Sequence, residues 1–254
     1  ACDMSYMKYH VGTALQMFKR MQGIERPKDL HFYEHMQSNH SQHEGLRSGD
    51  LATGIYFDLE CSREENPMVN ENAVISALQR SLIQFHAMET KTRGKNEEWL
   101  CPSACFVLSA SNAKKFSLHV RWLSSHNFKT VYDVGIYMER YEEYLRREKS
   151  GDTQALWIKK GGSEALLIDQ SVYRDGAFRL WRSSKWKKDE YRPLRLLGEA
   201  ERLRSVDYLT FRDLLCQYTC YGGKLLDYGA LEQREAIERR KASRVRAQAK
   251  IVPR

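Results

Sequence analysis

Residues 54–61 read GIYFDLEC and residues 114–122 read KKFSLHVRW. The first is a short apolar run with strand propensity, opened by Gly54 and carrying two acids. The second alternates polar and apolar positions, the period-two pattern of a half-buried strand. Between them, Asn70 to Met88 sets Val74, Leu78, Leu82 and Phe85 on one helical face, with Asn70 or Asn72 as the cap. ACFVLSA at 104–110 and KFSLHVRWL, separated by the turn residues Ser111 and Asn112, read as a hairpin. Thr130 to Lys149 is a second helix. EALLIDQSVY at 164–173 reads as a strand, and GAFRLWRSS at 176–184 alternates again and is expected to pair with it antiparallel. The order strand, helix, strand, strand, helix, strand, plus one more strand, fits an α+β fold: a split β-α-β sheet backed by helices.

Outward from this centre the chain turns helical. Residues 5 to 22 place Met7, Val11, Leu15, Met17 or Phe18, and Met21 at near-helical spacing. The polar stretch 35–54, with His35, His40 and His43, reads as a solvated loop. Tyr208 to Tyr218 reads as a helix opening near Thr210, and a long charged helix is expected from about Asp227. Its last stretch, EQREAIERRKASRVRAQAK, has too few apolar residues to bury a full stripe. The expected organisation is a helical and loop module at 1–53 packing on the core, a core domain at 54–222, and a basic helix or linker at 223–254.

The chain has 254 residues and a formal net charge of +8. That length suffices for a sizeable core. Eight basic residues against three acids fall in 231–254, and the same excess falls in 174–195, so the remainder is slightly acidic. The excess suggests an anionic partner. No stretch approaches the roughly 20 apolar residues of a membrane helix, and an intracellular protein with no membrane partner is expected. The six cysteines lack dense regular spacing and read as reduced thiols. Two C-x3-C pairs, Cys101/Cys105 and Cys216/Cys220, sit in apolar surroundings, so no zinc is expected.

Three constellations carry chemistry. Asp58 and Glu60 stand one residue apart on an apolar strand, so both project from the same face. Like charges so placed repel on a half-buried sheet unless a cation neutralises them. Asp169, ending the run LLID, completes a cluster of three acids if the two strands are neighbours. Such a cluster leaves positions open for water and phosphate and suits Mg²⁺ or Mn²⁺. A water-facing edge strand is the alternative. Lys115, Ser117 and His119 occupy alternate positions of one strand and together offer several donors to phosphate oxygens; the alternative is an ordinary polar face. Arg179, Trp181 and Ser183 alternate likewise, with Lys185 just beyond. Trp122, Trp181 and Trp186 are either base-stacking or packing residues.

In these residues the chain resembles a known family. FDLE, KFSLH and LLIDQSVYRDGAFRLWRSSK look like the three motifs of the archaeo-eukaryotic primase superfamily, closest to its PrimPol branch. The resemblance implies an RRM-like, mixed or antiparallel palm sheet with flanking helices. It implies that Asp58, Glu60 and Asp169 bind two catalytic Mn²⁺ or Mg²⁺ ions, and that Ser117, His119, Lys115, Arg179 and Lys185 hold a nucleotide triphosphate. The implied activity is template-directed extension of a primer with dNTPs, with translesion synthesis in range. The implied partners are primed DNA template and dNTP, with other replication proteins; the chain is expected to be a monomer of the nucleus or mitochondrion. Two departures stand out. The stretch from His119 to Asp169 is compact, and the Cys/His zinc module that the family uses for priming has no counterpart, so extension is expected rather than de novo priming. The alternative is a catalytically weak nucleic-acid-binding module on the same fold.

Overall fold

The structure, a computed structural model, describes residues 13–23, 33–36, 52–92, 100–124, 126–174, 176–185, 192–197, 206–217, 224–226 and 228–229. Its centre is a four-stranded antiparallel sheet. Strand β2 (Ile55–Ser62), after the short β1 (Tyr33–Met36), lies beside β4 (Lys115–Ser124). On the other side of β4 runs β3 (Leu100–Ser109), and the short β9 (Arg195–Leu196) closes the edge. The expected hairpin forms as β3 and β4, with Val107 opposite Val120. Asn112 makes the turn: its Oδ1 accepts from the N–H groups of Lys114 and Lys115 at 2.9 and 2.8 Å.

One face of this sheet is apolar. Ile55, Phe57 and Leu59 of β2, with Phe116, Leu118, Val120 and Trp122 of β4, are fully or almost fully buried. They belong to one core with residues of α2 (Glu71–Thr92) and α3 (Val131–Arg147). Phe57 meets Tyr141 edge-on at 6.2 Å, and Phe85 packs against Tyr137 and Tyr141 at 5.1 and 5.3 Å. Each large side chain so buried contributes about 1.5–3 kcal/mol relative to exposure. Asn70 caps α2 through the N–H of Ala73, and Thr130 caps α3 through the N–H of Asp133. The fold is thus α+β, with antiparallel sheets and flanking helices.

Within this core His86 lies 3.2 Å from the Tyr137 hydroxyl, and burial, with the nearby His126, pushes its pKa down to about 4. The unfolded chain takes up this proton near pH 6.5 and the folded chain resists it. His86 therefore subtracts stability as pH falls from about 6.5 to 4. Replacing it with Gln is expected to flatten the acid side of the stability curve by close to one proton. Urea unfolding at a series of pH values checks this; a wild-type slope in the variant would show that His86 titrates normally.

The second half departs from the sequence reading. EALLIDQSVY is not one strand, and GAFRLWRSS does not pair with it. Instead β6 (Trp157–Lys160) and β7 (Ser163–Leu166) form a local hairpin across Gly161 and Gly162, both at positive φ. A two-residue glycine turn costs less loop-closure entropy than a distant partner does. After β7 the chain meets the central sheet again at Ile168, an isolated bridge to Leu59. Asp169 then accepts the Ser171 N–H at 2.9 Å and starts a tight helical turn that ends the extended run. Strand β8 (Gly176–Arg179) pairs antiparallel with β1. The expected alternation stops at Arg179; Arg182 takes a positive φ, and Arg179, Trp181 and Ser183 are all buried rather than solvated.

The ends add smaller pieces. Of the N-terminal helix, α1 (Ala14–Gln22) is described, held by a Thr13–Gln16 capping box; Met7 and Val11 lie outside the described residues. Phe18 of α1 packs on Tyr208 and Phe211 of α4 (Tyr208–Leu214) at 5.7 and 5.3 Å. Helix α4 opens on Asp207, which accepts the Thr210 N–H, and ends at Leu214. Short strand β10 (Lys224–Leu226) pairs parallel with β5 (His126–Phe128). His35 lies in β1, while His40, His43, Cys220, Trp186 and the charged stretch beyond Gly229 lie outside the described residues. Among the described residues no helix is long and apolar enough to cross a membrane.

Candidate active site

The polar face of the β2–β4 pair carries the candidate site. The register sets Asp58 opposite His119, Glu60 opposite Ser117 and Ser62 opposite Lys115. Directly opposed residues of an antiparallel pair project from the same face with Cβ atoms about 5 Å apart. Two alternating motifs far apart in sequence therefore form one surface. Asp169 joins it through the backbone, its N–H donating to the Asp58 carbonyl at 2.9 Å.

The tyrosine four residues after Asp169 explains this placement. Tyr173 donates from its hydroxyl to the Tyr56 carbonyl at 2.9 Å, while Tyr56 donates to the Val172 carbonyl at the same distance. The two rings pack 5.2 Å apart. This reciprocal lock fastens the Asp169 segment to β2. Tyr173→Phe should cost about 1 kcal/mol in urea unfolding; an unchanged stability would show that the hydroxyl bond does not hold the segment to β2.

The His119 end of the face is covered, while Glu60, Lys115 and Lys185 stay part-exposed. His119 is buried, stacks on Phe178 of β8 at 4.4 Å and 29°, and places Nε2 3.7 Å from Asp58 Oδ1. Burial, then the charges of Arg179 and Lys185, hold its pKa well below the usual value, so its ring is neutral. Arg179, also buried, donates from Nη1 to the Arg192 carbonyl at 3.1 Å. Glu60 is paired with the Lys115 ammonium, and Lys185 Nζ lies 3.4 Å from its Oε2. Burial opposes Glu60's ionisation, but the Lys115 hydrogen bond and Lys185 outweigh it and leave its pKa below the ordinary range. Asp58 goes the other way. Burial, then the charges of Glu60 and Asp169, push its pKa up to about 7, and its Oδ1 is buried without a hydrogen-bond partner among the described residues.

That orphaned oxygen is what a divalent cation would satisfy, and all-oxygen donors suit Mg²⁺ or Mn²⁺. As they stand, though, no three His, Cys, Asp or Glu side chains among the described residues form a ready ligand group. Glu60 is on lysine, and Asp169 is capping the Ser171 N–H. Closing a cage would have Glu60 exchange ammonium for metal, while the cap bond takes only Oδ1 of Asp169. The donors fit the group in kind; their arrangement does not form a cage.

All five nucleotide-binding candidates are thus placed: Lys115, Ser117 and His119 on β4, Arg179 at the end of β8, and Lys185 beside Glu60. Trp122 and Trp181 lie in the cores rather than in position to stack on bases. Phe178 stood in the FRLWRSSK string of the third motif without a stated role. The sequence reading missed a cavity of about 490 Å³ beyond Glu60, lined by Lys114, Lys115, Lys159, Lys160 and Arg192. The turn signal Lys159-Lys160-Gly161-Gly162 was available to find it.

No family model matches the chain, and a search of curated proteins finds no significant match.

Proposed function

We propose that the chain is a template-directed nucleotidyltransferase on a palm of the archaeo-eukaryotic primase kind, extending a primer with dNTPs. The observation that carries this is the register of β2 on β4, which faces two acids with a hydroxyl, an imidazole and an ammonium while Asp169 is bonded to the backbone of Asp58. Asp58, Glu60 and Asp169 would hold two Mn²⁺ or Mg²⁺ ions, which supply charge neutralisation and a more acidic 3′-hydroxyl when bound. Neutral His119 donates a hydrogen bond to a phosphate oxygen without adding charge. Lys115, Arg179 and Lys185 offset the triphosphate's charge, and Phe178 holds the His119 ring in place by stacking on it. The primer 3′-oxygen forms a bond to the α-phosphorus, the bond from that phosphorus to the bridging oxygen breaks, pyrophosphate leaves with the electron pair, and the hydroxyl proton passes to solvent.

A gel of primed and unprimed templates with dNTPs or NTPs and either metal tests the reading. Extension of the primed template is the expected result, and none under any of these conditions sinks it. The pairing of Glu60 with two lysines favours a second reading, a nucleic-acid-binding module with weak turnover, for which gel-shift binding without incorporation is the signature.

A further inference from the structure

We infer that the basic cavity beyond Glu60 is the seat of the departing pyrophosphate, an inference that rests on the nucleotidyl-transfer reading above. Its position comes first. Along the β2–β4 face, Asp58 with His119, Glu60 with Ser117, and Ser62 with Lys115 follow one another in two-residue steps. From Asp58 to Ser62 is roughly 13 Å of strand. Asp169 adjoins the Asp58 end, and the cavity lies at the Ser62 end. A triphosphate whose α-phosphorus reacts beside Asp58 and Asp169, with its outer phosphates on Lys115, therefore runs toward the cavity.

The cavity is also built. Asn66, itself buried, bonds twice to the Lys159 backbone, donating to its carbonyl at 2.9 Å and accepting its N–H at 2.7 Å. Glu65 accepts the Gly161 N–H at 3.0 Å, which fixes the hairpin turn. The Arg63 N–H donates to the Lys114 carbonyl at 3.0 Å. Loop 63–66 thus fastens both lysine pairs to the end of β2. Of the two acids in the lining, Glu60 is neutralised by Lys115, and Glu65 is engaged on the turn. Lys114, Lys159 and Lys160 make no ion pair among the described residues. Cations converging from separate segments on one bounded space suit a compact polyanion better than an extended strand backbone, which wants its cations in a row.

The test uses the full chain and pyrophosphate itself. Titrated calorimetrically without metal, the double variant Lys159→Ala/Lys160→Ala is expected to bind pyrophosphate about tenfold more weakly, while Asp58→Asn keeps wild-type affinity. In primer extension the same double variant should need about tenfold more pyrophosphate for half-inhibition. Both lysines are exposed on a short hairpin, and an unchanged melting midpoint confirms an intact fold. Unchanged affinity and inhibition in the folded variant overturn the inference. So does lost binding to primed template with unchanged pyrophosphate affinity, which assigns the cavity to a nucleic-acid backbone. Lysine-dependent pyrophosphate binding by a wild-type chain that extends no primer overturns the leaving-group role together with the transferase reading, and keeps only a polyphosphate pocket.

Discussion

Asp58→Asn is expected to melt at a higher temperature than wild type at pH 8 without metal, and to lose primer extension. The carboxyl of Asp58 has a pKa of about 7 in the fold, raised by burial and by Glu60 and Asp169, against 3.8 in the unfolded chain. Between these values the folded state holds a proton that the unfolded state has released, so stability falls as pH rises from about 4 to 7. Above pH 7 the full penalty applies, on the order of 2–4 kcal/mol. Asparagine has the same shape and no such charge. Its midpoint should exceed wild type by roughly 5–10 °C at pH 8 and converge with it near pH 4. On the proposed function, Mn²⁺ should raise the wild-type midpoint by binding the ionised cluster and leave the variant nearly unmoved. Extension should drop roughly 100- to 1,000-fold or more. Equal midpoints at pH 8 would mean that Asp58 is well solvated, and the case for a cation there would lose its main support.

A residue that destabilises the fold in order to serve chemistry is the pattern of a functional site. It also explains why the candidate site was readable from sequence. Asp58 and Glu60 violate the apolar run around them, and Ser117 and His119 sit on a strand whose other face is uniformly apolar. Period-two patterning fixes which side chains share a face, so both halves of the surface were legible before their register was known. The β3–β4 hairpin was legible for the same reason, with Asn112 marking its turn. What patterning cannot fix is which distant strand becomes a neighbour. Residues 164–173 have strand composition, yet the glycine pair at 161–162 claims the first part for a local hairpin and Asp169 turns the remainder. Strand β8 instead finds β1, a four-residue segment with no alternation long enough to register as a strand. The burial of Arg179 follows from that pairing and was invisible without it. Tyr173 stood in the motif string without a stated role; its hydroxyl bond to β2 is a tertiary feature that no spacing reveals.

Gly54→Ala is expected to cost about 3–5 kcal/mol, far above the usual effect of adding one methyl group. A Cβ at Gly54 would lie 2.1–2.4 Å from the guanidinium of Arg121. At the surface a guanidinium would swing aside, but Arg121 is buried and held by three carbonyls. Its Nε donates to Leu215 at 2.8 Å, and its Nη1 to Ile55 at 3.1 Å and Trp122 at 2.6 Å. Moving it strands a buried cation and leaves those carbonyls unpaired. Arg121→Met removes the obstacle, so the double variant Gly54→Ala/Arg121→Met should be less destabilised than the sum of the two single changes, a coupling readable in urea unfolding. Strict additivity, or a Gly54→Ala effect within about 0.5 kcal/mol of zero, would show that the guanidinium has somewhere else to go. The corner matters to the site because Glu34 of β1 accepts the N–H groups of Cys216 and Gln217, next to the Leu215 carbonyl that Arg121 holds. Strand β1 is seated there, β8 is paired to β1, and Arg179 and Phe178 ride on β8. Loosening Arg121 should therefore free the cover over His119 first, while Asp58 and Asp169, tied by Tyr56 and Tyr173, stay together.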